Sequence, residues 1–494
     1  MMVISTAAAT PVAAPEQLVL APLFSDQMVL QREQPLPIWG QAAPGSVVKL
    51  RLLDAQGAAL TAASGAASGE VMADSNGDWQ ITFPALPAAG PLQMVVTNGQ
   101  QQITLKDVWL GDVWLASGQS NMEWPLSAQT ENWQQAVKDA AYPKIRFFKV
   151  PNQIAATPQH QLPVTPLATQ WLVASSDTVP DFSAIGWYFA KQNHLDKGVA
   201  VGMIDATWGG TVAQAWTPAA ALLALPAYRQ AAAEMIAQSQ VLAQTLAQQM
   251  SRKAPNHQPH WLPGVLFNAM IKPLVPYGIK GVLWYQGESN VEQAAFYHAL
   301  FSTLIQSWRD EWQQPLPFLY VQLASYLQPK AQPAASKWAE LREAQFQTLQ
   351  LPATAMVVTT DLGDANNIHP ARKKPVAERL WLAARRSVFG EAIIASGPVF
   401  SSLHIEGTQL RLRFEQVGSG LYHKNGALRG FAIAGSDGKY HNAQAKLEGN
   451  TVLLWSDKVA KPVSVRFGWA DFTDANLYNS VHLPAVPFRA GEAK

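Results

Sequence analysis

Five apolar runs recur through the middle of the chain: Val113–Ala116, Val199–Ile204, Ile279–Tyr285, Pro317–Leu323 and Ala355–Thr360. Helix-like segments such as 181–195, 291–314, 338–350 and 371–389 lie between or after them. Short runs without polar alternation suit strands buried on both faces. Their alternation with helices predicts an α/β unit whose mostly parallel sheet is covered on both sides. Four of the runs lead into polar, glycine-rich segments: Ser117-Gly118-Gln119-Ser120-Asn121, Trp208-Gly209-Gly210-Thr211, Gln286-Gly287-Glu288-Ser289-Asn290, and 361–370 with the sequence DLGDANNIHP. In open α/β sheets ligands bind beyond the carboxyl ends of the strands. Four such segments on one edge therefore point to one active site rather than to four unrelated turns.

The flanks read differently. From Leu18 to about Lys106, β-like runs at 47–53, 78–83, 92–97 and 101–105 are separated by turn residues, and Asn98-Gly99 is a hairpin signal. After about Ala395 the β pattern returns at 403–414, 430–440, 451–456 and 462–470. The expected organisation is a tail or signal remnant (1–17), an N-terminal β-sandwich (18–106), an α/β catalytic domain (107–394) and a C-terminal β region (395–494). Within the third part, 219–253 is rich in Ala and Gln, and the spacing of Met235, Leu242, Leu246 and Met250 predicts an amphipathic helical insertion.

Composition narrows the chemistry. With 36 Lys and Arg against 35 Asp and Glu, the net charge is +1 over 494 residues, so neither nucleic acid nor an anionic membrane is an expected partner. The absence of cysteine excludes disulfides, thiolate catalysis and cysteine-based zinc sites. The ten histidines show no H-E-x-x-H or similar ligand spacing, so no metal is expected. No run of ~18 apolar residues spans a membrane. Residues 1–16 are small and apolar but lack a basic start, and export to a periplasmic or extracellular space is expected. The sequence does not indicate an oligomeric state.

A serine at a strand end can expose its hydroxyl above the sheet edge, with backbone N–H groups beside it to hold negative charge. Ser120 has that position, although Gly118-x-Ser120-x-Met122 is not the G-x-S-x-G elbow of α/β-hydrolases. A nucleophilic serine needs a base, and His369 is the candidate. The Ser120 N–H, the Gly210 N–H and the Asn290 amide are the candidate oxyanion donors. Glu123 and Glu288 read alternatively as a glycosidase acid–base pair, or as carboxylates that brace their loops. Most of the eighteen tryptophans are expected in the core. Trp124, Trp208, Trp216, Trp284 and Tyr285 flank the site segments, and one or two of them are expected to form a wall against a sugar.

GQSNMEWPL (118–126), WGGT (208–211) with AWTP (215–218), KGVLWYQGESN (280–290) and DLGDANNIHP (361–370) together resemble the sialate O-acetylesterase family. LPFLYVQLASY (316–326), LREAQ (341–345), RFGWAD (466–471), NLYN (476–479) and LPAVPFR (483–489) extend the resemblance over nearly the whole chain from Leu18. It implies an SGNH hydrolase: a flavodoxin-like three-layer α/β/α domain with accessory all-β regions, acting on an acetylated carbohydrate without a cofactor. By the same resemblance Ser120 matches the nucleophile, Gly210 and Asn290 the further oxyanion positions, and His369 the base. Gln119, Trp208, Gln286 and Glu288 are candidate substrate contacts. The pattern departs at Asn366, where many SGNH enzymes carry the aspartate that orients the histidine. Asp364 is the candidate third member, with Asp361 or a backbone carbonyl as alternatives. Two other readings stand beside this one: an acetylesterase for plant-wall glycans such as xyloglucan or xylan, and a non-catalytic glycan-binding protein.

Overall fold

The computed structural model describes residues 17–62, 65–66, 68–163, 170–242 and 258–491. Its central sheet holds β1 (Gln102–Gly118), β2 (Tyr142–Lys149), β3 (Trp171–Ala174), β4 (Ala200–Thr207), β5 (Gly281–Tyr285), β6 (Phe318–Val321) and β7 (Thr354–Val357). They lie in the order β3-β2-β4-β1-β5-β6-β7, and every neighbouring pair is parallel except β3 against β2. All residues of β4, β5 and β6 are buried, as their largely apolar sequences require; the exception in charge is Asp205 near the end of β4, which pairs with Lys149 at 3.1 Å. The five runs singled out in the sequence are therefore the strands from β1 to β7, less β2 and β3. Those two escaped notice for a physical reason. Lys144, Arg146 and Lys149 interrupt β2, yet Arg146 is 2% exposed and pairs with Asp107 at 2.9 Å. Strand β3 is a four-residue edge.

The 106/107 division between the first two predicted parts falls inside a strand. The first half of the 17-residue β1 pairs antiparallel with Ala89–Thr97, and its second half pairs in parallel with β4 and β5. The register shifts between Leu105 and Val108, where Asp107 adopts φ +54°. A bulge of this kind bends a strand and lets one chain segment serve two surroundings. The Asn98-Gly99 hairpin forms as expected, closed by Asn98 N–H on the Gln101 carbonyl at 3.2 Å. The N-terminal strands share one hydrophobic core with the central sheet; Phe24 packs edge-on against Trp39 and reaches Tyr277 with ring centroids 5.5 Å apart.

The connecting helices are α1 (Ser120–Glu123), α2 (Ala184–Lys197), α3 (Ala294–Trp312), α4 (Lys337–Gln347) and α5 (Lys373–Ser387). Ser183 and Ser336 cap α2 and α4, each accepting a backbone N–H with its hydroxyl, and Gly198 ends α2 in the left-handed conformation. Helix α2 packs against α5, and α3 against α4. The 219–253 segment begins with two short helices, Ala219–Leu222 and Arg229–Ala237, which bury Leu222, Ala232 and Met235. Leu246 and Met250, part of the predicted stripe, lie outside the described residues, as do residues 1–16.

The C-terminal region builds two four-stranded antiparallel sheets, one from Val399–Glu406, Gln409–Glu415, Thr451–Trp455 and Gln444–Glu448, the other from His441–Asn442, Phe431–Ala434, Ser464–Phe467 and Phe488–Gly491. They enclose a core of their own around Leu412, Ile433, Val465 and Phe467. A buried arginine fastens this region to the central unit: Arg342 donates to the carbonyls of Ala470 and Asp471 at 2.7 and 3.0 Å, and burial pushes its pKa down to about 9.

Candidate active site

Strand register creates the site. Gly118 at the end of β1 stands level with Thr207 of β4 and Tyr285 of β5, so the segments leaving all three strands start from one line. Gly118 has φ +125°, and a Cβ there would meet the Tyr285 carbonyl oxygen at 2.2 Å, so only glycine permits so close a turn. The Gln119 N–H donates to Tyr285 O at 3.0 Å and the Trp208 N–H to Gly118 O at 3.1 Å, binding the three exits together. Ser120 then opens α1, and its N–H has no carbonyl one turn back to receive it.

His369 arrives from the far side of the sheet. After β7 the chain makes a turn at Thr360–Leu362 and folds back toward β1. Asp361 anchors that turn with two 2.7 Å bonds from Arg379 of α5 and a 3.3 Å bond from the Tyr478 hydroxyl. The Asn367 side chain accepts the His369 N–H at 2.9 Å. The result places His369 Nε2 2.8 Å from Ser120 Oγ, across 249 residues of sequence. The imidazole stacks on Trp124, ring centroids 4.2 Å apart and planes within 18°. Partial burial, reinforced by the cation of Lys373, lowers the His369 pKa below the usual imidazole value. A neutral imidazole nitrogen at that distance can take up the hydroxyl proton.

On the other side of Ser120, Gly210 has φ +72° and, its chain neighbours aside, none of the described residues lies within 4 Å of where its Cβ would stand. Its neighbour Gly209 donates its N–H to Glu123 Oε2 at 2.6 Å, which leaves the following peptide presented by a fixed turn. Glu123 is thus a brace. The Glu288 carboxylate turns inward: Oε1 accepts from Asn121 Nδ2 at 2.5 Å, Oε2 is buried without a partner among the described residues, and desolvation raises the pKa. Both carboxylates are committed to holding loops, which removes the basis for a glycosidase pair.

Other expectations need correction. Asn290 is fully buried and its amide is saturated: Oδ1 accepts from Ala213 N–H and Gln286 Nε2, and Nδ2 donates to Gln214 and Gln293 at 3.0 and 3.2 Å. Both N–H bonds are spent, so it offers no oxyanion donor in this geometry; it fastens the 211–214 turn to the 286–293 segment. Gln286 is equally interior, bonded to Thr211 O and Tyr297, and Gln119 spends its Oε1 on the Gly287 and Ser289 N–H groups. Gln286 is thus held inside the fold, and the oxygen of Gln119 braces the segment after β5. Asp364 is exposed and accepts the Asn366 N–H at 2.8 Å; among the described residues no hydrogen bond joins its carboxylate to His369. Of the aromatic candidates, Trp216, Trp284 and Tyr285 belong to the core. Trp124 and Trp208 remain partly exposed.

Three features of the site carried no signal in the sequence. Trp261 is 36% exposed and donates Nε1–H to Gly210 O at 2.8 Å, while His260 stacks on Trp208 with centroids 5.3 Å apart. Asn121 and Lys373 form a buried contact beneath the Ser120–His369 pair.

A family model described as "Carbohydrate esterase, sialic acid-specific acetylesterase" matches residues 110–378, the stretch that contains all four strand-end segments. Fold and site thus fall among the carbohydrate esterases. Within them, the chain belongs to the sialic acid-specific acetylesterase family. It is 30% identical to human sialate O-acetylesterase over 398 residues, covering 75% of this chain and 71% of that protein. The mouse sialate O-acetylesterase is 27% identical over 520 residues, covering 95% and 94%. A solved carbohydrate acetylesterase from Xanthomonas citri is 38% identical and superimposes with a TM-score of 0.83 over 96% of this chain and 99% of that one.

Proposed function

We propose that the chain is a carbohydrate O-acetylesterase in which Ser120 is the nucleophile and His369 the general base. Family membership supports the acetylesterase class. The 2.8 Å Ser120–His369 contact at the mouth of three strand ends is the observation that carries the mechanism. Ser120 Oγ attacks the acetyl carbonyl carbon as its proton passes to His369 Nε2. The tetrahedral oxyanion is held by the Ser120 and Gly210 N–H groups. Collapse returns the proton from His369 to the departing sugar oxygen, leaving an acetyl ester on Ser120. Water, deprotonated by His369, then releases acetate and restores the serine. The packing of α2 with α5 and of α3 with α4 supports a helix–sheet–helix sandwich of the SGNH type. The names of the relatives support an acetylated sugar as the substrate class. Acetate release from a panel of acetylated sialosides, xylan and xyloglucan tests this; no release from any member would contradict the reading.

Two consequences concern the residues around the serine. Trp261 and Trp208 flank the Gly210 turn and offer aromatic surface to a sugar ring. Trp261→Ala is expected to raise KM roughly 3- to 10-fold while kcat stays nearly constant, the effect of losing one stacking contact. An unchanged KM would leave Trp261 as a prop for the Gly210 carbonyl. Asn290→Ala removes four hydrogen bonds, two of them fully buried, so stability and kcat should fall together, by about 2 kcal/mol and roughly tenfold. A loss of kcat of roughly 10²-fold or more at unchanged stability would make Asn290 an oxyanion donor after all.

A further inference from the structure

His369 has no carboxylate on its second nitrogen among the hydrogen bonds of the described residues, yet it is held firmly. Its loop is gripped from below by a side chain next to the serine. Asn121 Nδ2 donates to the carbonyl of Ile368, the residue before His369, at 3.0 Å. The same nitrogen donates to Glu288 Oε1 at 2.5 Å, and Lys373 Nζ donates to Asn121 Oδ1. Both hydrogens and the oxygen of the amide are therefore used, so one side chain ties together the serine turn, the histidine loop, the β5 exit and the first residue of α5. Asn121 and Lys373 are each 1% exposed. The ammonium lies 5.9 Å from the ring centres of both Trp124, on which His369 stacks, and Tyr285.

A buried lysine is costly and is seldom retained without a role. Lys373 opens a helix, where a cation meets the positive end of the dipole, so local structure does not favour it either. We propose that Lys373, acting through Asn121, is a positioning residue for His369: it fixes the loop that carries the imidazole and biases the ring toward its neutral, proton-accepting form. In many serine hydrolases a carboxylate orients the histidine; here the backbone is held instead, and a nearby cation does the electrostatic work. The trade is a less basic nitrogen that stays unprotonated to lower pH.

The surrounding ionisable groups leave Lys373 as the cation that acts on His369. Glu123 on α1 is tied to the Gly209 N–H, Asp361 and Arg379 neutralise one another, and Arg372 pairs with Glu131. Lys374 faces Glu378, Asp364 is exposed, and the Tyr285 phenol is kept protonated by burial. Glu288 is the opposing charge to Lys373 itself. Burial lowers the Lys373 pKa to about 7 and the charge of Glu288 opposes that shift, while partial burial and the Lys373 cation lower the pKa of His369.

The proposal rests on the Ser120–His369 reading above, and the experiment separates the two. Full-length wild type, Lys373→Met, Asn121→Ala and Ser120→Ala are assayed with a small aryl acetate across the acid and neutral pH range, with folding checked by circular dichroism. In Lys373→Met the acid limb of kcat/KM is expected to move to higher pH by roughly one unit, because the ring loses a repelling charge. In Asn121→Ala, kcat is expected to fall roughly 10- to 100-fold with little change in KM. A purely structural role would lower the yield of folded enzyme without moving the pH limb. Folded Lys373→Met with the wild-type limb overturns the proposal. If Lys373→Met does not fold, Asn121→Ala decides, and wild-type kcat there overturns it equally. Activity in Ser120→Ala defeats the underlying mechanism instead.

Discussion

Ser120→Ala is expected to lose roughly 10⁴–10⁶-fold in kcat on any acetyl ester, with the fold intact. The substitution removes one partly exposed hydroxyl whose only partner among the described residues is His369, so no buried donor or acceptor is orphaned and the thermal transition should barely move. His369→Ala is expected to lose a similar factor, and the double variant no more than either single one. The two groups act in one proton transfer, and removing either removes the step. Losses that multiply would mean that serine and histidine work in separate steps. Turnover near the wild-type rate in clean Ser120→Ala protein would end the mechanism.

Two aspartates near His369 should respond differently to the same change. Asp361→Asn leaves the Arg379 guanidinium, 9% exposed, without its counter-charge, and a broken buried pair costs about 3 kcal/mol. The Tyr478 bond that ties the C-terminal region to this turn weakens with it. A lower melting temperature is therefore expected, with activity reduced only as far as the loop loosens. Asp364→Asn touches an exposed carboxylate that serves the Asn366 N–H, so stability should stay constant and kcat should remain within about tenfold of wild type. A fall of several orders of magnitude in kcat for Asp364→Asn at unchanged stability would make it the third member of a triad, and the serine–histidine dyad would be the wrong description.

What the chain disclosed in advance follows from what each residue needs. β5 and β6 carry no charge and β4 only Asp205 near its end, so burial on both faces was written in their composition. The polar segments at the ends of β1, β4 and β5 and beyond β7 identified one edge of the sheet, and Ser120 and His369 do meet there. β2 stayed hidden because the partner that lets Arg146 be buried, Asp107, stands 39 residues away. The bulge at Asp107, which carries β1 from one sheet into the next, has no sequence mark beyond a polar residue in a strand. Asn290 occupies a site segment, but whether an amide faces the substrate or its neighbours depends on Gln214 and Gln293, set by distant parts of the chain. Lys373 is the extreme case. At the start of an amphipathic helix a lysine reads as solvated, and only the arrival of Asn121, Trp124 and Tyr285 over it makes it buried.

The most direct test of the central claim is covalent labelling of the nucleophile. The folded enzyme is treated with a small organophosphate that phosphorylates activated serines irreversibly, and the label is mapped by peptide mass spectrometry as acetylesterase activity is followed. The expected result is one phosphoryl group per chain, on Ser120, with activity lost in proportion to labelling and neither event in Ser120→Ala. Full labelling of Ser120 with activity retained, or loss of activity with the label on another residue, would contradict it.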